Sequence, residues 1–372
     1  MPVKIAILLL NNYGDILYAT PIAKQIKEYD YPGSHLTWIV SQQCSDILKN
    51  NGFIDDLDII ASNELNLVYN NRFELIEKAY KQKLDDGVYD KLFILQPKGK
   101  NFVNYKTCLR RLILDRYPIP IHVSLRPIVF LTQEEKNNVC RFVEYNNIES
   151  FNNKILFEFS GKSGQSSISL PEAIQIAEKI VEGNESTCVI LSSDQKLDIK
   201  NEKIFNAQVL TFKENAQLIN HCTLLVGCSS GITWLSTSGY CKPVPSIQFL
   251  KTNVPWLNSI KEDYRINNLD PQNILELYKF DNNLIFEVVN YFLQNGMNKA
   301  RFKYDQEYKQ EYSFNNFYQI TKNFIRQGYY KNFLSFLFKN LNRGIPFVLF
   351  NVKFLCVDSL RFFEKKMQLT KK

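Results

Sequence analysis

Residues 5–10 read IAILLL, an almost unbroken apolar run, and the chain then passes through Asn-Asn-Tyr-Gly-Asp into a helical pattern (Ile16, Ala19, Ile22, Ala23, Ile26). A run without alternation is the mark of a strand buried on both faces, as in a parallel sheet. Gly14 permits a tight turn, so Asp15 stands at the C-terminal end of a strand and at the start of a helix. Open α/β sheets bind ligands at that position. A carboxylate there can cap the helix, or it can act as a base on a ligand in the crevice.

The same alternation repeats. Strand candidates in the first 148 residues are 4–10, 36–40 (LTWIV), 57–60, 91–95 (KLFIL) and 128–130, with helix candidates at 15–29, 44–50, 73–84 and 133–146. A polar, Asn-rich stretch, YNNIESFNNK, follows near residue 150. A second series then begins, with strands at 154–159, 187–192, 223–227 and 244–249 and helices at 171–182, 214–221 and 231–239. This βαβα order predicts α/β architecture with two doubly wound domains facing a cleft. The expected units are 1–148, 149–297 and a basic, aromatic, helical extension at 298–372.

The extension carries most of the charge. The chain of 372 residues has a net charge of +7, yet 321–372 holds 11 Lys or Arg against Asp358 and Glu364. The rest is close to neutral. In 324–372 these basic residues are set among Phe and Tyr, which suits an anionic membrane surface. The longest uncharged apolar run, GIPFVLFNV at 344–352, is far below the ~20 residues that span a bilayer. Helices packing back on the body are the other reading. No nucleic-acid motif accompanies the basic residues. Eight scattered cysteines without a C-x-x-C pair, three His and no cleavage-site pattern predict a reduced, cytoplasmic protein without a zinc site.

Three stretches carry candidate chemistry. At 160–167, SGKSGQSS follows a strand and precedes a helix, so Ser160, Gly161, Lys162, Ser163, Gly164 and Ser166 could approach a phosphate. At 227–234, GCSSGITW offers Cys228, Ser229, Ser230 and Gly231 at a helix start, where free N–H groups suit an anion. An ordinary helix cap is the alternative role for Ser229. Arg110 and Arg111, with Lys98, form a basic cluster suited to an anionic saccharide or to a solvated helix face. Asp56-Leu57-Asp58 matches a D-x-D pattern but reads as solvated turn carboxylates.

In this order the segments 4–60, 89–96, 155–180, 188–195 and 214–247 resemble glycosyltransferase family 9, the heptosyltransferase-type enzymes. The resemblance implies the GT-B fold. It also implies inverting, metal-independent transfer of a sugar, heptose or related, from a nucleotide-diphosphate sugar, with no cofactor. The acceptor would be a lipid-linked bacterial surface glycan such as lipopolysaccharide core, met at the inner face of the cytoplasmic membrane. It makes Asp15 the base, with the 160–167 and 228–231 turns on the donor. Asn11, Asn12, Tyr13 and Gly14 form the turn before Asp15, where they could touch the acceptor or sugar, though Asn also simply tolerates such a turn. Two positions depart from the family. Its Lys-Trp before the helix at 171 is replaced by Ser166–Ser169, and its Asp-Ser/Thr-Gly by Ser229-Ser230-Gly231. A catalytically silent GT-B subunit that binds a glycan or a partner is the alternative.

Overall fold

A computed structural model describes residues 2–61, 73–97, 109–161, 165–166, 168–193, 195, 197, 199–251 and 259–307. Lys98, Lys162, Ser163, Gly164 and the extension beyond 307 lie outside the described residues.

The first half contains β1 (Lys4–Leu8), α1 (Tyr13–Gln25), β2 (His35–Ser41), β3 (Asp56–Ile60), α2 (Phe73–Asp85), β4 (Lys91–Ile94), α3 (Leu109–Leu114) and α4 (Gln133–Tyr145). Its four strands are parallel, in the order β3-β2-β1-β4. The second half contains β5 (Asn153–Phe157), α5 (Leu170–Glu182), β6 (Thr187–Leu191), β7 (Ile204–Asn206), α6 (Asn215–His221), β8 (Leu224–Gly227), α7 (Gly231–Leu235), β9 (Ser246–Phe249), α8 (Ile260–Ile266), β10 (Ile274–Leu277) and α9 (Asn282–Tyr304). Here six parallel strands run β10-β9-β8-β5-β6-β7. Chain order reverses between β1 and β4 in one sheet and between β5 and β8 in the other. The loops leaving those strands therefore stand over the two crevices that α/β sheets use for ligands.

Local chemistry explains most elements. β1 and β6 are buried along their apolar length because helices cover both faces. α4 starts on a capping box: Thr132 Oγ1 accepts the Glu135 N–H at 3.2 Å and Glu135 Oε2 accepts the Thr132 N–H at 2.7 Å. α5 buries Ala173, Ile176, Ala177 and Ile180, one stripe at helical spacing. The expected strand at 128–130 is not a strand: Ile128 donates its N–H to Thr20 Oγ1 at 2.8 Å instead of to a ladder. Segment 44–50 is a 3-10 turn, Gln42–Leu48, rather than an α-helix. Asp56 and Asp58 lie within edge strand β3 and not in a turn. Asp56 meets His35 Nε2 at 2.7 Å, and Asp58 accepts the Tyr80 hydroxyl at 2.6 Å. α9 kinks at Gly296 (φ 78°) and continues to Tyr304, across the 297/298 position.

The halves are joined by polar and aromatic contacts. Arg126 donates to the carbonyls of Thr237 (3.1 Å) and Ser238 (2.7 Å), and the Tyr18 and Trp234 rings meet edge to face at 4.9 Å. Lys213 is 1% exposed and pairs with Glu135 Oε1 at 2.8 Å. Burial pushes the Glu135 carboxyl up, but the Lys213 ammonium and the Thr132 N–H pull it down by more, so it lies below its ordinary value. A carboxyl depressed by folding stabilises above its unfolded pKa and loses that contribution as pH falls through the folded value. Glu135→Gln should therefore cost about 3–5 kcal/mol near neutral pH, because it strands a buried ammonium. It should also flatten the acid limb of a denaturant-midpoint profile. An unchanged acid limb would separate the ion pair from acid stability.

Candidate active site

The cleft between the halves has a volume of about 990 Å³. From the first half it is lined by Asn11, Asn12, Tyr13, Gly14 and Asp15, the residues that leave β1 and open α1. Asp15 is 7% exposed and occupies the third position of α1, where Oδ2 accepts the Asn12 N–H at 3.2 Å. It is at once a cap and a wall of the cleft, so the two sequence readings coexist. Tyr13 donates its hydroxyl to the Gln43 carbonyl at 2.7 Å and stacks on Phe212 of the other half, with ring centroids 4.5 Å apart. Burial raises its hydroxyl above the usual tyrosine range, aided by Cys44 and Asp46.

From the second half come Ser160, Gly161, Ser229, Ser230 and Gly231. The two turns they form touch. A Cβ on Gly161 would sit 2.8 Å from the Ser230 Cβ, and one on Gly231 would sit 2.7 Å from the Phe212 ring. Both positions need glycine for close approach. Ser229 holds a left-handed backbone (φ 57°) and donates its N–H to Gln248 Oε1 at 2.9 Å, which turns the chain from β8 into α7.

At the start of α7 the structure departs from expectation. Its N–H groups were candidates for a ligand anion, yet Glu158 already holds two of them. Glu158 follows β5, is 2% exposed, and accepts the N–H of Ile232 at 2.7 Å and of Thr233 at 3.0 Å. It also accepts the Thr233 hydroxyl at 2.7 Å and the Ser230 hydroxyl. Burial drives its carboxyl above the ordinary 4.5, against the pull of these four donors. An internal carboxylate thus stands at the helix dipole end.

Other expected residues fall away from the cleft. Arg110 is fully buried, donates to the Leu125 carbonyl, and lies 5.4 Å from the Tyr18 ring centroid, so it cannot be the expected acceptor contact. Arg111, on α3, pairs with Asp115 just past the helix end at 2.6 Å and does not line the cleft. Cys228 is buried behind its turn, and Ser166 Oγ accepts the Ile168 N–H at 3.0 Å in a local turn. Sequence reasoning missed Glu158, Gln96 and Asp263, all of which line the cleft. Gln96 and Glu158 each lie just beyond a strand end, a position that could have flagged them. Asp263 sits on short helix α8, which no motif announced.

No family model matches the sequence, and no curated protein matches it by sequence. Solved structures do match in three dimensions. A family 9 glycosyltransferase from Veillonella parvula superposes with a TM-score of 0.57 at 12% identity, covering 81% of this chain and 98% of that chain. The chain has the GT-B fold of that glycosyltransferase. A second match, the ADP-heptose lps heptosyltransferase II of E. coli, gives a TM-score of 0.50 at 14% identity, covering 78% and 99%. In the GT-B fold the β1–α1 turn and the turns after β5 and β8 face each other by construction, which is the arrangement found around Asp15. Among the described residues, no group of three or more His, Cys, Asp or Glu is poised to hold a metal ion. Nor is any described helix long and apolar enough to cross a membrane.

Proposed function

We propose that this chain is a glycosyltransferase with Asp15 as its catalytic base. The observation behind it is the convergence of Asp15 with the Ser160–Gly161 and Ser229–Gly231 turns on one cleft, at the switch points of two parallel sheets. Residues 1–148 hold the acceptor and 149–297 the donor, a nucleotide-diphosphate sugar. Asp15 takes the proton of an acceptor hydroxyl, whose oxygen attacks the anomeric carbon from the face opposite the leaving group. The bond from that carbon to the diphosphate oxygen breaks as the new one forms. The nucleoside diphosphate departs with the electron pair, and the sugar is inverted. No step in this sequence calls on a metal.

A heptose or related sugar and a lipopolysaccharide-type acceptor fit the likeness to a neighbour named for ADP-heptose. The basic, aromatic residues 324–372 are suited to hold the enzyme on the inner face of the cytoplasmic membrane, next to a lipid-linked acceptor. One observation favours a rival, the silent GT-B subunit: Glu158 occupies N–H groups that a donor phosphate could have used.

A thermal-shift screen of the full chain against ADP, GDP, UDP and CDP and their sugars decides between them. A ligand at a hundred times its Kd adds about 2.7 kcal/mol of stability. One base series is expected to raise Tm, and its sugar conjugate to be transferred or slowly hydrolysed. No shift with any nucleotide would favour the silent subunit.

A further inference from the structure

The β1–β4 ladder ends in register at Leu8 and Ile94, with Leu95 donating one more N–H to the Leu8 carbonyl at 3.1 Å. Past that point β1 has become a turn, and a side chain continues the pairing. Gln96 Oε1 accepts the N–H of Leu10 at 2.8 Å and of Asn11 at 3.3 Å, and Gln96 Nε2 donates to the Asn11 carbonyl at 2.8 Å. Gln96 is 3% exposed, so these bonds form out of water, where leaving them unmade is costly.

The third bond matters most. The Asn11 carbonyl belongs to the same peptide group as the Asn12 N–H, which donates to Asp15 Oδ2 at 3.2 Å. Gln96 therefore holds the carbonyl, and Asp15 the N–H, of one and the same peptide group. The neighbouring side chain is tied down as well: Asn11 Oδ1 accepts Gln43 Nε2 at 3.3 Å, and the Gln43 carbonyl accepts the Tyr13 hydroxyl. With Gln96 lost, the plane is free to tilt, and the N–H that orients the carboxylate tilts with it.

We propose that Gln96 is a positioning residue for Asp15, acting through the Asn11–Asn12 peptide; this rests on Asp15 being the base. Gln96→Met keeps the volume and removes all three bonds. Gln25→Met is the matched control. Gln25 is a fully buried amide of the same half that does not line the cleft, and its Oε1 accepts the N–H of His122 at 2.8 Å and of Val123 at 3.3 Å.

In the full chain, Gln96→Met is expected to lower kcat about 10–100-fold, the scale of a misplacement near 1 Å. KM for the nucleotide sugar and the nucleotide-induced thermal shift should stay within about threefold, since the donor turns are untouched. The acid limb of kcat should move to higher pH, because a carboxylate that loses an aligned N–H donor is easier to protonate. Gln25→Met should lose stability and keep kcat. Amide exchange at residues 9–16, read by mass spectrometry, should speed up in Gln96→Met only. If Gln96→Met keeps both kcat and its acid limb, or loses no more activity than Gln25→Met, the positioning role is overturned. Unchanged exchange at 9–16 overturns the clamp itself. Should the wild-type chain turn over no donor, the base assignment of Asp15 fails, and exchange still judges the clamp.

Discussion

Asp15→Asn should reduce sugar transfer by roughly 10²–10⁴-fold, the range a positioned general base supplies, while nucleotide binding survives. Asparagine keeps the shape and can still accept the Asn12 N–H through its amide oxygen, so the start of α1 stays capped. What it loses is the negative charge near the helix N-terminus, about 0.3–1 kcal/mol, and the capacity to take a proton. Steady-state kinetics on the donor identified by thermal shift, with Tm measured in parallel, separate the two losses. A variant that binds nucleotide, melts within a few degrees of wild type and does not transfer identifies Asp15 as the base. If Asp15→Asn transfers as well as wild type, Asp15 is only a cap.

Glu158 carries the second large effect, and it falls on stability. Glu158→Ala leaves the Ile232 and Thr233 N–H groups and the Ser230 and Thr233 hydroxyls without their acceptor. Each unsatisfied buried donor costs about 1–3 kcal/mol. With some relaxation, a loss of about 3–5 kcal/mol is expected in urea unfolding. The pH dependence has a sign opposite to that of Glu135. Folding raises the Glu158 pKa, so its contribution is full below the ordinary value and declines as pH rises through the raised folded value. The difference in unfolding free energy between wild type and Glu158→Gln should therefore shift against wild type as pH climbs from 4 toward neutrality. A difference independent of pH would mean that Glu158 titrates as an ordinary carboxyl.

Much of the architecture could be read from the chain because it depends on local chemistry. Unbroken apolar strands, helical stripes and a Gly-Asp turn predicted two parallel α/β units, and both sheets are parallel throughout. Segments without a strong period were misread. The 128–130 run is apolar but bonds to Thr20, and the short strands β7 and β10 carry too few residues to show a period. In the site, the turn residues 11–15, 160–161 and 229–231 were legible, because strand ends in an α/β chain announce the crevice. Arg110 and Glu158 were not. Nothing local distinguishes an arginine that stacks beneath a tyrosine from one that meets a ligand. Nor does the chain mark a glutamate aimed at a helix start 74 residues away.

The sequence by itself determined the strongly periodic strands and helices, the turns between them and hence the crevices, since each of these is set by side-chain period and backbone preference within a few residues. Only the tertiary structure decided which polar groups occupy those crevices. Strand order is a long-range choice: it set β4 beside β1 and β5 beside β8, and so brought Gln96 to the Asn11–Asn12 peptide and Glu158 to the N-terminus of α7. Hydrogen bonds lose their strength within a fraction of an ångström, so partners drawn from distant segments are fixed only once the sheets have closed.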